Sequence, residues 1–186
     1  MTCIVGLVDS GAVYIGGDSS RVSGKTLRVR SGFKVFRNGE FLFGCAGSIR
    51  VEQLLHYKFT PPPHGEGVDP DCYMATDFVD AVREVLEKGG TLGKFTTGEE
   101  KAGDSALLVG YRGRLYEMDD DFQMVRQGDP FASVGCGSNV AMGAMYMGEV
   151  AFALSPEEKI VRALEAAARY HCGVCGPFDV QVLEAK

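Results

Sequence analysis

The second residue of the chain, Thr2, carries a hydroxyl that could act as a nucleophile if the chain began there. The threonine side chain is small enough for methionine aminopeptidase to remove Met1, which would leave a free α-amine on the residue that carries the hydroxyl. The pKa of an α-amine is about 7.7 to 8.0, so a useful fraction is unprotonated at neutral pH and can accept the hydroxyl proton. A Met-Thr start is also common in ordinary proteins, and the dipeptide alone does not separate the two interpretations.

Two charged residues, Asp18 and Lys34, lie in stretches that are otherwise apolar. The turn at Ser10-Gly11 pairs residues whose numbers sum to about 21, so Asp18 and Ser19 return beside Thr2 and Cys3. A buried lysine needs a partner or loses its charge, and a paired cation near the nucleophile would favour the developing alkoxide. The alternative is a structural salt bridge, or two exposed side chains.

The elements that position these residues begin with two hairpins. Residues 3–8 are apolar on both strand faces, which is typical of a strand covered on two sides, and residues 13–18 run back from the turn. The second hairpin pairs residues 33–36 with residues 41–43 around Asn38-Gly39, a strong short-range hairpin signal. Lys34 is predicted to lie inside the first of these strands.

Helices and further strands follow along the chain. Ser48 is predicted to cap a helix that ends before Pro61, an exposed loop follows over residues 60–72, and a second helix stops at Gly89-Gly90. A polar loop to Gly103 leads to strands at 106–111, 115–118 and 131–134, to helices that begin at Ser138 and Ser155, and to a last strand at 178–183. Hairpins indicate antiparallel sheets, and helices that arrive in pairs can cover two outer faces. We therefore expect an α+β fold, a four-layer αββα sandwich.

Length and charge restrict the class of protein further. The chain has 186 residues, 45% of them apolar and 24% charged, which is typical of one globular domain with a full core. Its 19 Lys and Arg residues against 25 Asp and Glu residues give a net charge of −6, which argues against a nucleic-acid partner. No apolar run is long enough for a membrane span and the N-terminus lacks signal-peptide features, so the sequence predicts a cytoplasmic protein.

The six cysteines are expected to be reduced thiols, because they are scattered over a chain with a core of its own. His171-Cys172-Gly173-Val174-Cys175 has half the ligands of a zinc site, or the spacing of a redox pair. No second pair of ligands exists, and the motif follows a helix where redox motifs precede one. We interpret it as two small buried thiols at a helix end and predict no metal.

Several stretches, taken together and in order, resemble a known family. They are Thr2 before an apolar strand, Asp18 in Gly-Gly-Asp-Ser-Ser, Lys34 in Phe-Lys-Val-Phe, Ala46-Gly47-Ser48 at a helix start, and residues 131–138 followed by Ala141-Met142-Gly143-Ala144. The pattern is similar to the proteasome β-subunit and to the HslV-type peptidase of a two-component ATP-dependent protease. The resemblance covers the chain from Thr2 to Val182.

The resemblance implies a fold and an activity. The fold would be the N-terminal nucleophile (Ntn) hydrolase sandwich, spanning residues 1–186 as one domain. The activity would be that of a threonine-type endopeptidase acting on peptides or unfolded proteins without metal or organic cofactor. A homo-oligomeric ring would enclose the sites, and an ATP-dependent unfoldase is the partner to expect.

The resemblance also assigns roles to individual residues. Thr2 would be the nucleophile, with Asp18 and Lys34 orienting it and tuning its ionisation. The Gly47 backbone N–H would bind the oxyanion, a role that suits a glycine because the substrate carbonyl must approach the main chain closely.

Two positions depart from the family pattern. Cys136 stands where the family has a serine that assists the terminal amine, and a thiol is a poorer hydrogen-bonding group. His171 and Val174 replace an aspartate and a serine before the last strand, and His171 could take over as the polar partner. Two alternatives to the peptidase therefore stay open: a catalytically silent ring or assembly subunit, and an Ntn amidase or acylase acting on small amides.

Overall fold

The structure, a computed structural model, describes residues 1–32, 34–94, 100–101, 105–151 and 153–185. Phe33, predicted to open a strand, and parts of the polar loop predicted to run to Gly103 lie outside the described residues.

The strands and helices follow one another in the order that the sequence indicates, two groups of strands each followed by helices. The strands are β1 (Ile4–Asp9), β2 (Ala12–Gly17), β3 (Ser20–Ser23), β4 (Thr26–Val29), β5 (Val35–Asn38), β6 (Phe41–Ala46), β7 (Gly93–Lys94), β8 (Glu100–Lys101), β9 (Ala106–Tyr111), β10 (Arg114–Met118), β11 (Met124–Arg126), β12 (Phe131–Val134) and β13 (Asp179–Leu183). The helices are α1 (Ile49–Tyr57), α2 (Pro70–Tyr73), which continues through a π-helical turn (Met74–Phe78) into α3 (Val79–Lys88), then α4 (Ser138–Ala151) and α5 (Pro156–Tyr170).

Two antiparallel sheets form the centre of the molecule. One has the strand order β12-β1-β2-β13 and the other the order β11-β10-β9-β6-β5. Their facing sides bury an apolar cluster that includes Ile4, Ile15, Leu42 and Leu108. Because both β1 and β6 are covered on two sides, their residues are apolar without alternation, and all six residues of β6 are buried.

Helices cover the two outer faces. Helices α4 and α5 pack on the first sheet through a cluster that includes Val5, Met145 and Leu164. Helices α1 and α3 pack on the second sheet through an aromatic-rich cluster that includes Phe43 and Phe78. Three separate cores between four layers confirm the predicted αββα sandwich.

The local signals place most boundaries correctly. In the first hairpin Ile4 pairs with Gly17, so the paired numbers sum to 21 as predicted, and Asn38 pairs with Phe41 across the turn of the second. Ser48 caps α1 by accepting from the Arg50 N–H, and Ser155 and Glu158 form a reciprocal capping box.

Three expectations need correction. Lys34 precedes β5 and is not inside it, although its carbonyl still accepts from the Cys45 N–H and so extends the ladder. The second helix begins at Pro70, capped by Asp69, so the loop predicted to reach residue 72 is shorter. Strands β3, β4 and β11 were not predicted, because short exposed strands lack an apolar alternation.

Among the described residues, no helix is both long and apolar enough to span a bilayer.

The aromatic core predicts a loss of stability at alkaline pH. Burial raises the pKa of Tyr73 to about 12, whereas the unfolded phenol ionises near pH 10. As the pH rises above about 10 the unfolded chain releases its proton first, so the free energy of unfolding falls. Tyr73→Phe should flatten this fall, measured by urea unfolding between about pH 9 and 11.

The matched control is Tyr57→Phe, because Tyr57 is 74% exposed while Tyr73 is 1% exposed. In this control, the free energy of unfolding should fall with pH as steeply as in the unsubstituted chain. Since the pKa values of Tyr111 and Tyr116 are also raised by burial, part of the slope will remain in Tyr73→Phe. Equal slopes in both variants would contradict the assignment.

Candidate active site

Thr2 is held at the start of β1, between the ends of the two sheets, and is only 4% exposed. In this chain, which carries Met1, the Thr2 nitrogen is a peptide N–H that donates to Cys136 Sγ at 3.2 Å. The hydroxyl Oγ1 donates to the Met1 carbonyl at 2.5 Å. The Thr2 carbonyl accepts from the Gly137 N–H at 3.2 Å. A residue next to a chain end is therefore as firmly held as a core residue, unlike most termini.

Asp18 lies opposite Cys3, the residue after Thr2, as the hairpin register predicts, and its side chain is fully buried. Oxygen Oδ1 accepts from the Cys3 N–H at 2.9 Å and from Lys34 Nζ at 2.8 Å. Oxygen Oδ2 accepts from the N–H groups of Ser20 at 2.9 Å and Cys175 at 3.4 Å. The carboxylate thus has donors on both oxygens, which is the condition under which a buried charge is tolerated.

Lys34 completes this buried pair, with its side chain 4% exposed. Besides Asp18, its ammonium donates to Ser20 Oγ and to the Met1 carbonyl, both at 3.4 Å. Burial lowers the pKa of Lys34, and the Asp18 charge opposes that shift. The cation therefore reaches the same carbonyl oxygen as the Thr2 hydroxyl, which places positive charge next to the nucleophile.

Cys136 and His171 form the second polar group near Thr2. Cys136 Sγ lies 3.3 Å from the Thr2 carbonyl and 3.6 Å from His171 Nδ1. The Gly173 N–H donates to the same Nδ1 at 3.1 Å, so that nitrogen is the unprotonated one. His171 thus contacts Cys136, and its path to Thr2 runs through the thiol. Val174 is buried against Cys3 and its neighbours and offers no polar group.

The loop that carries Cys136 requires glycine beside it. Gly135 has a φ of +96°, and a Cβ there would lie 2.4 Å from the Thr2 carbonyl oxygen. A Cβ at Gly137 would lie 2.9 Å from the Cys3 Cβ. The two glycines let the loop approach the backbone of β1 closely enough for Sγ to meet the Thr2 nitrogen.

Gly47 lies across a narrow cleft from β3, and this cleft also contains Thr2. Gly47 is exposed, has a φ of +112°, and precedes the N-terminus of α1, where backbone N–H groups point outward. The cleft has a volume of about 60 Å³. Its lining residues are Met1, Thr2, Ser20, Arg21, Val22, Arg30, Lys34, Cys45, Gly47, Ser48, Ile49 and Glu52.

The structure therefore brings all six predicted site residues into one region. Asp18 and Lys34 are in direct contact, Lys34 and the Thr2 hydroxyl share the Met1 carbonyl, and Gly47 lines the same cleft as Thr2. Sequence reasoning missed the Arg30–Glu52 ion pair in the cleft, a bidentate contact at 2.8 and 2.5 Å. It also missed Ser20, whose Oγ donates to the Gly173 carbonyl at 2.5 Å. Only the polar Asp-Ser-Ser run next to an apolar strand could have indicated Ser20.

The Cys-x-x-Cys segment differs from its prediction. Cys172 is exposed and Cys175 is half-buried, so they are not two buried thiols, and all six cysteines are free. Burial raises the pKa of Cys3 to about 12, which keeps that thiol protonated and unreactive. Within the described chain no group of three or more potential ligands could hold a metal ion.

A larger cavity of about 530 Å³, near Gly11 and Arg112, lies at the other end of the sheets and contains none of the predicted residues.

No protein-family model matches the chain, and no curated protein matches it. Solved structures do. BPH from Thiobacillus denitrificans, solved alone and in complex with epoxomicin, has a TM-score of 0.82 at 19% identity, over 100% of this chain and 99% or 100% of that chain. Eukaryotic HslV from Trypanosoma brucei has a TM-score of 0.68 at 18% identity, over 98% of this chain and 99% of that chain. Anbu (ancestral beta-subunit) from Yersinia bercovieri has a TM-score of 0.67 at 17% identity, over 97% of this chain and 81% of that chain.

These neighbours all have proteasome-related folds of the Ntn type, so the fold that the sequence resemblance implied is confirmed. At 17% to 19% identity the likeness extends to the fold, and the chemistry must be argued from the side chains.

The buried pair predicts strongly coupled effects on stability. Asp18→Asn or Lys34→Met alone leaves one charge buried without its partner, and each should lower the free energy of unfolding by about 3 to 5 kcal/mol. The double variant buries no charge, so its free energy of unfolding should fall by clearly less than the sum of the two single-variant losses. Chemical denaturation of the three variants measures the coupling.

The exposed pair of Glu84 and Lys88 on α3 is the control. Its single variants Glu84→Gln and Lys88→Met should have little effect and add without coupling. Additive losses at Asp18 and Lys34 would show that the pair is not a unit.

Proposed function

We propose that the chain is a threonine-type peptidase in which Thr2, once Met1 is removed, is an N-terminal nucleophile. The observation that supports this most directly is the fully buried Asp18–Lys34 pair, 2.8 Å apart, whose ammonium lies beside the carbonyl that the Thr2 hydroxyl also contacts. A salt bridge that only stabilises the fold does not have to lie next to Thr2. A cation that stabilises the alkoxide developing on Thr2 does have to lie there.

The reaction follows from the groups present. The Thr2 α-amine takes the hydroxyl proton while Oγ1 forms a bond to the carbonyl carbon of the peptide, giving a tetrahedral oxyanion that the Gly47 N–H stabilises. The C–N bond then breaks, and the ammonium returns its proton to the leaving amine. Water, deprotonated by the same amine, hydrolyses the ester and restores Thr2. No metal or organic cofactor takes part in these steps.

The cleft suits an extended peptide substrate. Ser20–Val22 of β3 form one wall and Gly47–Ile49 form the other. Within the described residues β3 pairs only with β4, so its other edge is available to add a peptide strand. Main-chain hydrogen bonds would then hold the scissile carbonyl near Thr2.

Removal of Met1 is required for this chemistry. In its presence the Met1 carbonyl accepts from both the Thr2 hydroxyl and Lys34, and the nitrogen is an amide with no basic lone pair. The Met1 side chain packs against Gly173 through its Cβ, Cγ and Sδ atoms, but Met1 is 54% exposed, so part of the residue is accessible at the surface.

A catalytically silent ring or assembly subunit is the second candidate. It is favoured by Cys136, whose thiol is the contact of the Thr2 nitrogen and a weak hydrogen-bonding group. A silent subunit would keep Met1 and would not react with an epoxyketone or a β-lactone.

We also infer a homo-oligomeric ring. Tyr146, Met147 and Val150 on α4 are exposed large hydrophobic residues on one outer layer of the sandwich, as expected for a face that another copy covers. An ATP-dependent unfoldase remains the predicted partner. Peptide cleavage that rises on addition of an ATP-dependent unfoldase would support that partner.

Thr2→Ala should abolish peptide cleavage and epoxyketone labelling without loss of the fold, because it removes the hydroxyl and little else. Thr2→Ser, which keeps the nucleophile, should retain part of the activity. The measurements are intact mass, to show loss of one methionine, and cleavage of a panel of peptides and small acyl-amides.

Each outcome of this panel selects one function. Cleavage confined to small amides would replace the peptidase with an amidase, and a chain that cleaves nothing and is not labelled by an epoxyketone would favour the silent subunit. Undiminished cleavage in Thr2→Ala would contradict both enzyme assignments.

Cys136→Ser should raise kcat by about twofold to tenfold, because a hydroxyl holds the Thr2 amine through a stronger hydrogen bond than a thiol does. The acidic limb of the pH profile should move as well, since the group next to the titrating amine has changed. His171→Gln, which acts through Cys136, should shift the same limb with a smaller change in kcat. Cys72→Ser, at an exposed cysteine on α2, is the control and should change neither.

A further inference from the structure

Positive charge is concentrated in one segment of this acidic chain. Between Asp18 and Glu40 there is no acidic residue, while the segment carries Arg21, Lys25, Arg28, Arg30, Lys34 and Arg37. The net charge of −6 for the whole chain conceals this segregation. The segment contains the β3–β4 hairpin and one wall of the Thr2 cleft.

Two arginines of the hairpin lie directly opposite each other. Arg21 on β3 pairs in register with Arg28 on β4, and both are exposed. Like charges at facing positions of an antiparallel pair destabilise it, since their Cβ atoms are only about 5 Å apart. A carboxylate placed between the two guanidinium groups would remove the repulsion and accept hydrogen bonds from both.

The remaining cations of the cleft are already neutralised. Lys34 is paired with Asp18, and Arg30 is paired with Glu52. In the part of the chain that the structure describes, no carboxylate lies within salt-bridge distance of Arg21 or Arg28. The uncompensated charge of the cleft is therefore at its rim, on Arg21 and on the arginine that faces it.

The position of Arg21 in the cleft adds a second constraint. Arg21 lines the same cleft as Thr2, and removal of Met1, which also lines it, would open more space beside Thr2. An extended peptide along the free edge of β3 would pass Arg21 within a residue or so of the scissile bond. Charge at the rim would then act on the side chains that flank the cleavage site.

We propose that the site selects acidic peptides, with Arg21 and Arg28 binding an aspartate or glutamate close to the scissile bond. The proposal rests on the proposed function for its substrate backbone, and the paired arginines supply the specificity. Two exposed charge pairs at low ionic strength correspond to a preference of about tenfold for acidic over neutral peptides. The preference should decline as salt rises from about 0.05 M to about 0.5 M, because exposed pairs are screened.

The experiment compares three peptides of one length with a central Ala-Ala, flanked by aspartates, asparagines or lysines. Fluorescence anisotropy measures their binding to the full-length Thr2→Ala chain, and kcat/KM is measured with the chain that has lost Met1. The aspartate peptide should bind and be cleaved best. Arg21→Gln with Arg28→Gln should remove the preference, and Arg21→Glu with Arg28→Glu should transfer it to the lysine peptide.

Two further variants separate local recognition from net charge and from misfolding. Lys88→Gln with Arg162→Gln changes the net charge equally at exposed positions on α3 and α5 and should keep the preference. Arg21→Lys with Arg28→Lys keeps the charge and should retain most of the preference for the aspartate peptide.

The proposal is overturned if Thr2→Ala binds the aspartate and asparagine peptides equally, or if the preference persists in the double glutamine variant. It is also overturned if a single-stranded oligonucleotide of equal charge binds as tightly as the aspartate peptide. If the preference appears in binding while no peptide of any charge is cleaved, the peptidase assignment fails and the recognition of acidic peptides stands.

Discussion

The buried Asp18 carboxylate is the interaction around which the site is built. Its two oxygens accept from the chain start at Cys3, from the β2–β3 junction at Ser20, from the C-terminal segment at Cys175, and from the ammonium of Lys34. Enclosing an ion pair costs several kcal/mol in desolvation, so its contribution to net stability is small. Its effect is geometric, because segments far apart in sequence must converge for the charge to be satisfied.

That convergence explains why Thr2 is ordered. A terminal residue normally frays, but here the N–H of the next residue is fixed by Asp18 and the Thr2 carbonyl is fixed by Gly137. The Thr2 nitrogen, its hydroxyl and the Lys34 ammonium are therefore held in fixed positions. The proposed reaction depends on preorganised charge of this kind, because such charge stabilises a transition state without having to reorient.

Burial divides the charges near the cleft into two groups with different roles. The enclosed pairs, Asp18 with Lys34 and Arg30 with Glu52, hold backbone and cleft wall in place because neither member can leave its partner. Arg21 and Arg28 are exposed, so under the proposed recognition of acidic peptides their guanidinium groups would exchange water for a ligand carboxylate. Buried ion pairs would then hold the site together and exposed arginines would bind the ligand, on a fold shared with proteasome-related proteins.

Local sequence signals were sufficient to predict the sandwich, the caps of α1 and α5, and the return of Asp18 to the start of β1, because turn chemistry, capping and apolar periodicity act over a few residues. The family resemblance placed Cys136 near the Thr2 nitrogen, and the structure shows that contact. Only the packing of the whole chain revealed that His171 reaches the Cys136 thiol and not Thr2, and that an unpredicted β3–β4 hairpin carries facing arginines beside the cleft. The first two contacts join residues 134 and 35 positions apart. Contacts between residues so far apart in the sequence depend on how the helices and sheets pack together. That packing depends on the side chains of all four layers at once, so no local sequence pattern predicts it.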